Sequence, residues 1–268
     1  MSRTVTALSI AGSDPSGGAG IQADLKSMSA NGAYAMSVIT ALTAQSTRGV
    51  AGVRAVPVDF VRLQLDALLA DIRPDATKIG MLATAELAAL VGEYLPELPC
   101  TVLDPVMVAT SGDPLLDPDA TAAVRDLCPV AELITPNLAE AAVLLDCERA
   151  TTLDEMADQA RALRDLGVRR ALVKGGHLTK EATDVFVDES GTHLLPGRRI
   201  ATENTHGTGC TLSSAIAALR PRSENWLEAV TRAKTYLTGA IAAADSLGVG
   251  HGHGPTHHFH ALWPKEDR

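Results

Sequence analysis

The 268-residue chain has few aromatic residues, no long basic run and a net negative charge. Phe, Trp and Tyr make up 3% of the residues, so a packed core has to be built from Ala, Leu, Val and Ile. Lys and Arg total 23 against 32 Asp and Glu, which gives a formal charge of −9. Nucleic-acid binders usually carry a basic surface, so no nucleic-acid partner is expected.

Membrane and secretion signals are missing as well. No apolar run reaches the ~18 residues that a membrane-spanning helix needs. The apolar stretch 4–11 is short and runs into Gly12-Ser13-Asp14-Pro15 rather than into a small-residue cleavage site. The four cysteines form no C-x-x-C pair, and a chain of this size needs no disulfide scaffold. We therefore expect a cytoplasmic protein with reduced thiols and no membrane partner.

Apolar strand-like segments alternate with helical patterns throughout. The patterns predict strands over 5–11, 37–43, 76–81, 100–103, 132–135 and 170–174, and a hairpin over 184–195. They predict helices over about 20–31, 59–72, 84–95, 119–127, 152–167, 209–219 and 224–247. Such alternation is typical of an α/β fold with an open, mostly parallel sheet covered by helices on both faces. Because no linker or repeat interrupts it, we expect one domain over residues 1–268.

In a sheet of this kind, ligands bind beyond the carboxyl ends of the strands. The residues that directly follow the predicted strands are therefore the candidates for a functional site. They are the loop 12–20 and Gln45, Met81, Asp104, Asn137, Lys174 and Gly175.

The segment 204–211 reads Asn-Thr-His-Gly-Thr-Gly-Cys-Thr and opens a helix of small residues. Its glycines, Gly207 and Gly209, let backbone N–H groups face a ligand, and the helix start adds partial positive charge. This favours an anion hole for a transferring phosphoryl group. Cys210 lies in the first turn, where the helix dipole is expected to lower the thiol pKa and make it a base. A glycine-rich helix start with a merely buried cysteine is the alternative.

The sequence of the glycine-rich loop 12–20 does not match either of two common nucleotide-binding motifs. It lacks the Gly-Lys-Ser/Thr of a Walker loop. Ala23 at the third glycine position of the dinucleotide fingerprint is allowed, but no acidic residue ends a second strand at the required distance, so a dehydrogenase is a poor fit. We expect the loop to let a small ligand approach the backbone. Asp24 follows one helical turn after Gly20, where its carboxylate could accept from a ligand amine or simply favour the helix start.

Polar residues after three later strands suggest a phosphate and metal site. Asn137 and Glu140 share one face of a helix start, which suits water-mediated Mg²⁺ or, equally, a capping box. Asp104 could join the metal shell or begin a turn with Pro105. Lys174 could reach a phosphate or extend along the surface. Five histidines between 251 and 260 lack metal-ligand spacing, so we expect that segment to pack back on the fold without a metal.

Eight motifs occur in an order that resembles one known family. They are Gly-Ser-Asp-Pro-Ser-Gly-Gly-Ala-Gly-Ile-Gln-Ala-Asp at 12–24, Ala-Gln at 44–45, Lys-Ile-Gly-Met-Leu at 78–82, Asp-Pro-Val-Met at 104–107, Thr-Pro-Asn-x-x-Glu at 135–140, Lys-Gly-Gly-His at 174–177, the segment 204–211, and Gly-Pro-x-His-His-Phe-His at 254–260. Over about residues 4–263 the chain resembles the hydroxymethylpyrimidine/phosphomethylpyrimidine kinases of thiamine biosynthesis, which have the ribokinase-like fold.

The resemblance implies two ATP-dependent phosphorylations at one site, first of 4-amino-5-hydroxymethyl-2-methylpyrimidine and then of its monophosphate. It implies a pyrimidine pocket under the glycine-rich loop and a helix start, with Cys210 as the base, that stabilises the transferring oxygens. It also implies that ATP and Mg²⁺ bind beside the carboxyl ends of the later strands, and that the protein is a homodimer. The implied catalytic residues are Gly207, Thr208, Gly209 and Cys210, and the implied pocket residues are Gly20, Asp24, Gln45, Met81 and Val108. The implied ATP residues are Asn137, Lys174 and Thr205, and the implied Mg²⁺ residues are Asp104 and Glu140.

Three points of the resemblance stay open at this level. Thr43 departs from the family, in which an apolar residue is common at that position. Some relatives with the same Gly-Thr-Gly-Cys motif phosphorylate pyridoxal, so a pyridoxal kinase is the first alternative. A non-catalytic pyrimidine sensor on the same fold is the second alternative, although Lys174, Glu140 and Cys210 are all present.

Overall fold

A computed structural model describes residues 3–107, 118–176, 178 and 182–264 of the chain. The strands are β1 (Val5–Ala11), β2 (Ala33–Ile39), β3 (Ala41–Ser46), β4 (Gly49–Ala55), β5 (Ala76–Ile79), β6 (Thr101–Leu103), β7 (Leu133–Ile134), β8 (Ala171–Val173), β9 (Asp184–Asp188) and β10 (Gly191–Leu195). The helices are α1 (Gly20–Ala30), α2 (Val58–Leu69), α3 (Ala85–Tyr94), α4 (Pro118–Leu127), α5 (Leu138–Leu145), α6 (Leu153–Asp165), α7 (Thr208–Leu219) and α8 (Trp226–Ala242).

Eight strands form one sheet in the order β10-β9-β8-β7-β6-β5-β1-β2. The six strands from β8 to β2 in this order pair in parallel, while β9 and β10 add an antiparallel edge. Separate hydrophobic cores lie on the two faces of this sheet: α2 to α6 contribute to one, and α1, α7 and α8 to the other. The predicted α/β class, a mostly parallel sheet covered on both faces, is confirmed. Within the described ranges, no helix combines the length and hydropathy that a bilayer crossing demands.

The helix α7 is buried on every side over residues 211–219. Its residues are mostly Ala, Ser, Thr and Gly, so its backbone can approach the sheet and the flanking helices α1 and α8 closely. A helix buried all round has its two ends fixed by its neighbours. The start of α7 is thereby held at the carboxyl edge of the sheet, where the candidate site residues converge.

The predicted strand over 37–43 is wrong in its bounds. The chain forms β2 in the main sheet and then leaves it, and β3 pairs with β4 in a separate two-stranded sheet. The break falls at Thr40, whose N–H donates to the Ala11 carbonyl and whose Oγ1 donates to the Met81 carbonyl at 2.7 Å. The apolar run continues across this break, so hydrophobic pattern alone does not reveal it.

Candidate active site

The carboxyl ends of the parallel strands bring the predicted polar residues to the start of α7. Asp104 follows β6, Asn137 follows β7, and Lys174 follows β8. Asn137 and Lys174 are paired through a β-bridge, and Lys174 N donates to the Pro136 carbonyl at 2.9 Å. Residues 70 positions apart, such as Asp104 and Lys174, thereby come into direct contact.

The start of α7 has the geometry of an anion-binding site. Gly207 is the N-cap residue and has no side chain with which to cap the helix, so within the described part of the chain the first turn of α7 has no side-chain cap and its first amides can bind an anion. Thr205 forms the preceding turn, in which its carbonyl accepts from Thr208 N at 3.3 Å. Gly207 has φ +75°, and a Cβ there would overlap the carbonyl oxygen of Gly18. Only glycine fits at this position.

A buried charge cluster stands beside these amides. Lys174 Nζ donates to Asp104 Oδ1 at 2.8 Å and lies 3.9 Å from Glu140 Oε2. A Cβ on Gly209 would be 3.3 Å from both Lys174 Nζ and Asp104 Oδ2. The Lys174 side chain is only 15% exposed, so it lies at the site and does not extend along the surface. Its ammonium is placed to bind an anion held at the helix start.

The cluster contains two carboxylates for one ammonium. Burial raises the pKa of Glu140 to about 7, with the Asp104 charge adding to the rise and Lys174 opposing it. Burial opposes ionisation of Asp104 too, but the ammonium groups of Lys174 and Lys78 hold the pKa of that carboxyl below its ordinary value. A second cation would therefore be stabilised here.

Asn137 and Glu140 form the capping box that their spacing also predicts. Asn137 Oδ1 accepts from Ala139 N at 2.9 Å and from Glu140 N at 3.0 Å, while Glu140 Oε2 accepts from Asn137 N at 2.7 Å. Oxygen donors without sulfur suit a hard cation such as Mg²⁺, which keeps several of its own waters. Among the described residues, no three His, Cys, Asp or Glu side chains are grouped to hold a metal on their own.

The expected lowering of the Cys210 pKa is wrong. Burial raises the pKa of the thiol to about 11, and the nearby Asp24 and Asp104 charges add to the rise. The Lys78 ammonium and the hydrogen bond from the Gly20 N–H lower the pKa of Cys210, but by less than burial and the two carboxylates raise it. Desolvation and two carboxylates thus outweigh the dipole of α7, and most of the thiol is protonated at neutral pH.

Asp24 lies beneath the site and not in its wall. Its carboxylate accepts from Lys78 Nζ at 2.7 and 2.9 Å, from Ser9 Oγ at 2.6 Å and from Ser214 Oγ at 2.7 Å, and it is fully buried. The cause is the close packing of α1 on α7, which covers the helix face that carries Asp24. A direct contact with a pyrimidine amine stays a prediction.

Lys78 is a site residue that the sequence pattern did not single out. It is fully buried beside Asp24, and burial alone would lower its pKa. The charges of Asp24 and Asp104 and the hydrogen bond to Asp24 reverse this and raise the pKa of Lys78 well above the ordinary value, so the ammonium persists. The available signal was a lysine in a short strand whose other residues are all buried and uncharged.

Three of the predicted pocket residues, Gly20, Gln45 and Met81, lie in or near the glycine-rich loop. Gly20 begins α1 at φ +56°, and Met81 is nearly buried against Gly12. Gln45, half-buried on β3, accepts at Oε1 from Thr43 Oγ1, which also lies 2.9 Å from the Ser13 carbonyl oxygen. The departure at Thr43 thus ties β3 to the glycine-rich loop. Val108 lies outside the described residues.

The histidine-rich segment packs back on the fold, as expected. His206 N donates to the Gly254 carbonyl at 3.0 Å, and Thr256 and His258 are buried. His258 Nε2 lies 3.1 Å from Thr211 Oγ1, and Tyr236 OH donates to the His258 carbonyl at 2.8 Å. The segment therefore covers the first turns of α7.

His258 is expected to make the fold sensitive to mild acid. Burial lowers its pKa to about 3 from 6.5, so the unfolded chain takes up a proton below pH 6.5 that the folded chain refuses. Stability is then lost as the pH falls, by about 2 kcal/mol from this group between pH 7 and pH 5. Urea unfolding at both pH values should show that the free energy of unfolding falls less from pH 7 to pH 5 in His258→Gln than in wild type. His251→Gln, at an exposed position, is the control, and equal losses in all three proteins would contradict the expectation.

Fold and site together define a small-molecule kinase with a ribokinase-like fold, in which an anion-binding helix start adjoins a buried lysine and two carboxylates. The sequence profile described as phosphomethylpyrimidine kinase matches residues 14–257. A hydroxymethylpyrimidine/phosphomethylpyrimidine kinase of Escherichia coli is 55% identical over 97% of this chain and 100% of its own length. One from Rhizobium meliloti is 53% identical over 97% and 99%. The chain belongs to the phosphomethylpyrimidine kinase family, as the motifs predict.

Solved structures agree with this assignment. Phosphomethylpyrimidine kinase from Clostridium difficile superposes with a TM-score of 0.78 at 41% identity, covering 89% of this chain and 100% of its own. Pyridoxal kinase from Bacillus subtilis, solved as an ADP complex, gives 0.89 at 35% identity over 98% and 100%. Pyridoxal kinase from Staphylococcus aureus, solved with AMP-PCP and pyridoxal, gives 0.88 at 31% identity over 97% and 96%.

Proposed function

We propose that this chain uses ATP to phosphorylate 4-amino-5-hydroxymethyl-2-methylpyrimidine to its monophosphate, and then the monophosphate to the diphosphate, for thiamine biosynthesis. The observation that carries the proposal is the start of α7, where Gly207 provides no side-chain cap and Lys174 and Asp104 lie beside Gly209. The 55% identity with a kinase of that name supports the choice of substrate.

In the first step, the substrate hydroxyl oxygen forms a bond to the γ-phosphorus as the bond to the departing ADP oxygen breaks. The amides at the start of α7 and the Lys174 ammonium stabilise the charge on the transferring oxygens. The hydroxyl proton passes to Cys210 in its thiolate form. Because burial keeps most of the thiol protonated, only a small fraction of the protein carries the Cys210 thiolate at neutral pH. Phosphoryl transfer to the alcohol depends on that fraction.

In the second step, the acceptor is a phosphate oxygen of the monophosphate. A phosphomonoester has a second pKa of about 6 and is a dianion at neutral pH or above, so no base has to remove a proton. The same amides and Lys174 serve this transfer. Cys210 is then needed for the first step and not for the second.

The residues present fit a magnesium ion, since two buried carboxylates share one ammonium and the donor atoms are all oxygens. Asp104 and Glu140 would hold the ion, with Asn137 beside them. When bound, Mg²⁺ neutralises charge on the ATP phosphates. Lys174 Nζ and Thr135 Oγ1 both donate to Asp104 Oδ1, at 2.8 and 3.0 Å, and Asn137 N donates to Glu140 Oε2 at 2.7 Å, so both carboxylates are held in place.

Product analysis by mass tests the proposed function. The chain is incubated with Mg-ATP and either hydroxymethylpyrimidine or pyridoxal. We expect pyrimidine monophosphate and then diphosphate, with much slower formation of pyridoxal phosphate. Efficient pyridoxal phosphorylation without pyrimidine diphosphate would make the chain a pyridoxal kinase, and binding of the pyrimidine without ATP turnover would make it a sensor.

The alternatives have less support than the thiamine-pathway kinase. The pyridoxal kinases share the fold at 31–35% identity, while the pyrimidine kinases reach 53–55%. Lys174, Glu140 and Cys210 stand together at the start of α7, as an active kinase requires and a sensor does not. The homodimer, the cytoplasmic location and the single domain over residues 1–268 stay predictions.

A further inference from the structure

A buried His–Asp pair joins the two loops that frame the site. His206 Nε2 lies 2.7 Å from Asp14 Oδ2, and the two side chains are 8% and 2% exposed. Asp14 stands at the start of the glycine-rich loop, while His206 directly precedes Gly207 at the start of α7. The pair therefore links the loop over the predicted acceptor pocket to the anion-binding amides.

The Asp14 carboxylate also determines the shape of its own loop. Oδ1 accepts from Ser16 N at 2.8 Å, and Oδ2 accepts from Ala19 N at 2.8 Å and Ser16 Oγ at 2.9 Å. Burial opposes ionisation of this group, but the hydrogen bonds from His206, Ser16 and Ala19 outweigh it and hold the pKa of Asp14 below its ordinary value. One ionised carboxylate thus fixes the loop and holds His206.

The glycine-rich loop and the start of α7 are closely packed against each other. A Cβ on Gly18 would overlap the His206 ring, and a Cβ on Gly207 would overlap the Gly18 carbonyl oxygen. On its other side, His206 is held by its backbone N–H, which donates to the Gly254 carbonyl at 3.0 Å. The distance between the glycine-rich loop and the start of α7 is thereby set through the His206 side chain.

We propose that His206 and Asp14 are positioning residues for phosphoryl transfer: they hold the acceptor-binding loop in register with the anion-binding start of α7. The inference rests on the proposed function. Transfer needs the acceptor oxygen in line with the phosphorus, and a displacement of about 1 Å can cost about 100-fold in rate. Loss of the pair lowers kcat more than it raises KM for ATP, because Lys174 and the amides of α7 remain.

The test compares His206→Asn, Asp14→Asn and the double variant with wild type. Each single variant is expected to lower kcat for hydroxymethylpyrimidine by about tenfold or more, with KM for ATP within about twofold. The double variant is expected to lose clearly less activity than the product of the two single losses, because both single changes break the contact between His206 and Asp14. His193→Asn removes a more exposed His–Asp contact, His193 Nε2 to Asp188 Oδ1 at 3.4 Å, from the β9–β10 hairpin, and is expected to leave kcat unchanged.

Thermal melting of every variant separates positioning from folding. Asp14→Asn retains one oxygen, which can accept from one of the two loop amides, so it provides a second test of the contact if His206→Asn does not fold. A lower melting temperature with kcat within twofold of wild type would overturn the inference, as would additive losses in the double variant. A wild-type chain that leaves the pyrimidine unphosphorylated would contradict the proposed function itself and this inference with it.

Discussion

Replacement of Cys210 by alanine is expected to lower transfer to the hydroxymethyl group by about 100-fold or more, and to leave transfer to the monophosphate within about threefold of wild type. An alcohol must lose its proton as its oxygen bonds to phosphorus, and Cys210 in the first turn of α7 is the residue assigned to accept it. The phosphate acceptor has already lost its proton above about pH 6. The measurement is the initial rate of each step, with each acceptor supplied separately.

Cys147→Ala provides the matched control for this prediction. Cys147 is an exposed cysteine beyond the end of α5, and its loss is expected to change neither rate. Equal losses in both steps for Cys210→Ala would mean that the side chain shapes the site rather than accepts a proton. Normal rates in both steps would remove Cys210 from the mechanism.

Lys174→Met is expected to slow both steps, by about 100-fold to 1,000-fold. The ammonium lies beside Gly209 at the position where charge on the transferring phosphoryl oxygens develops, and that charge is common to both acceptors. The change also leaves Asp104 and Glu140 without their ammonium partner, which is expected to lower the free energy of unfolding by about 3–5 kcal/mol. Initial rates and urea unfolding measure the two effects.

Arg170→Met is the control for Lys174→Met, since the two residues flank opposite ends of β8. Arg170 pairs with Glu189 at 2.8 Å on the edge of the sheet away from the site. Its loss is expected to leave both rates unchanged. A folded Lys174→Met variant with normal rates in either step would contradict the role assigned to this ammonium.

Much of the site could be predicted because the residues at the carboxyl ends of parallel strands share one edge of the sheet. Asp104, Asn137 and Lys174 are identified in this way, and the structure brings them together. The Gly-Thr-Gly-Cys helix start is also recognisable from the sequence. Glycine at 207 leaves the helix start without a side-chain cap, and the small residues that follow allow α7 to pack closely against its neighbours.

The remaining features depend on contacts between residues that are far apart in the sequence, which no local sequence pattern predicts. Lys78 and Asp24 are 54 residues apart, and their contact is a result of the packing of α1 on α7 over β1 and β5. The raised pKa of Cys210 is a result of that burial and of the two carboxylates that it brings near. The contact between Asp14 and His206 spans 192 residues and likewise appears only in three dimensions.

The central claim is that both acceptors use one site at the start of α7, and competition between them tests it most directly. The rate of diphosphate formation from the monophosphate is measured at increasing concentrations of hydroxymethylpyrimidine, with saturating Mg-ATP. We expect purely competitive inhibition, with an inhibition constant equal to the KM of hydroxymethylpyrimidine as a substrate. Noncompetitive inhibition, or the absence of inhibition at concentrations well above that KM, would contradict it.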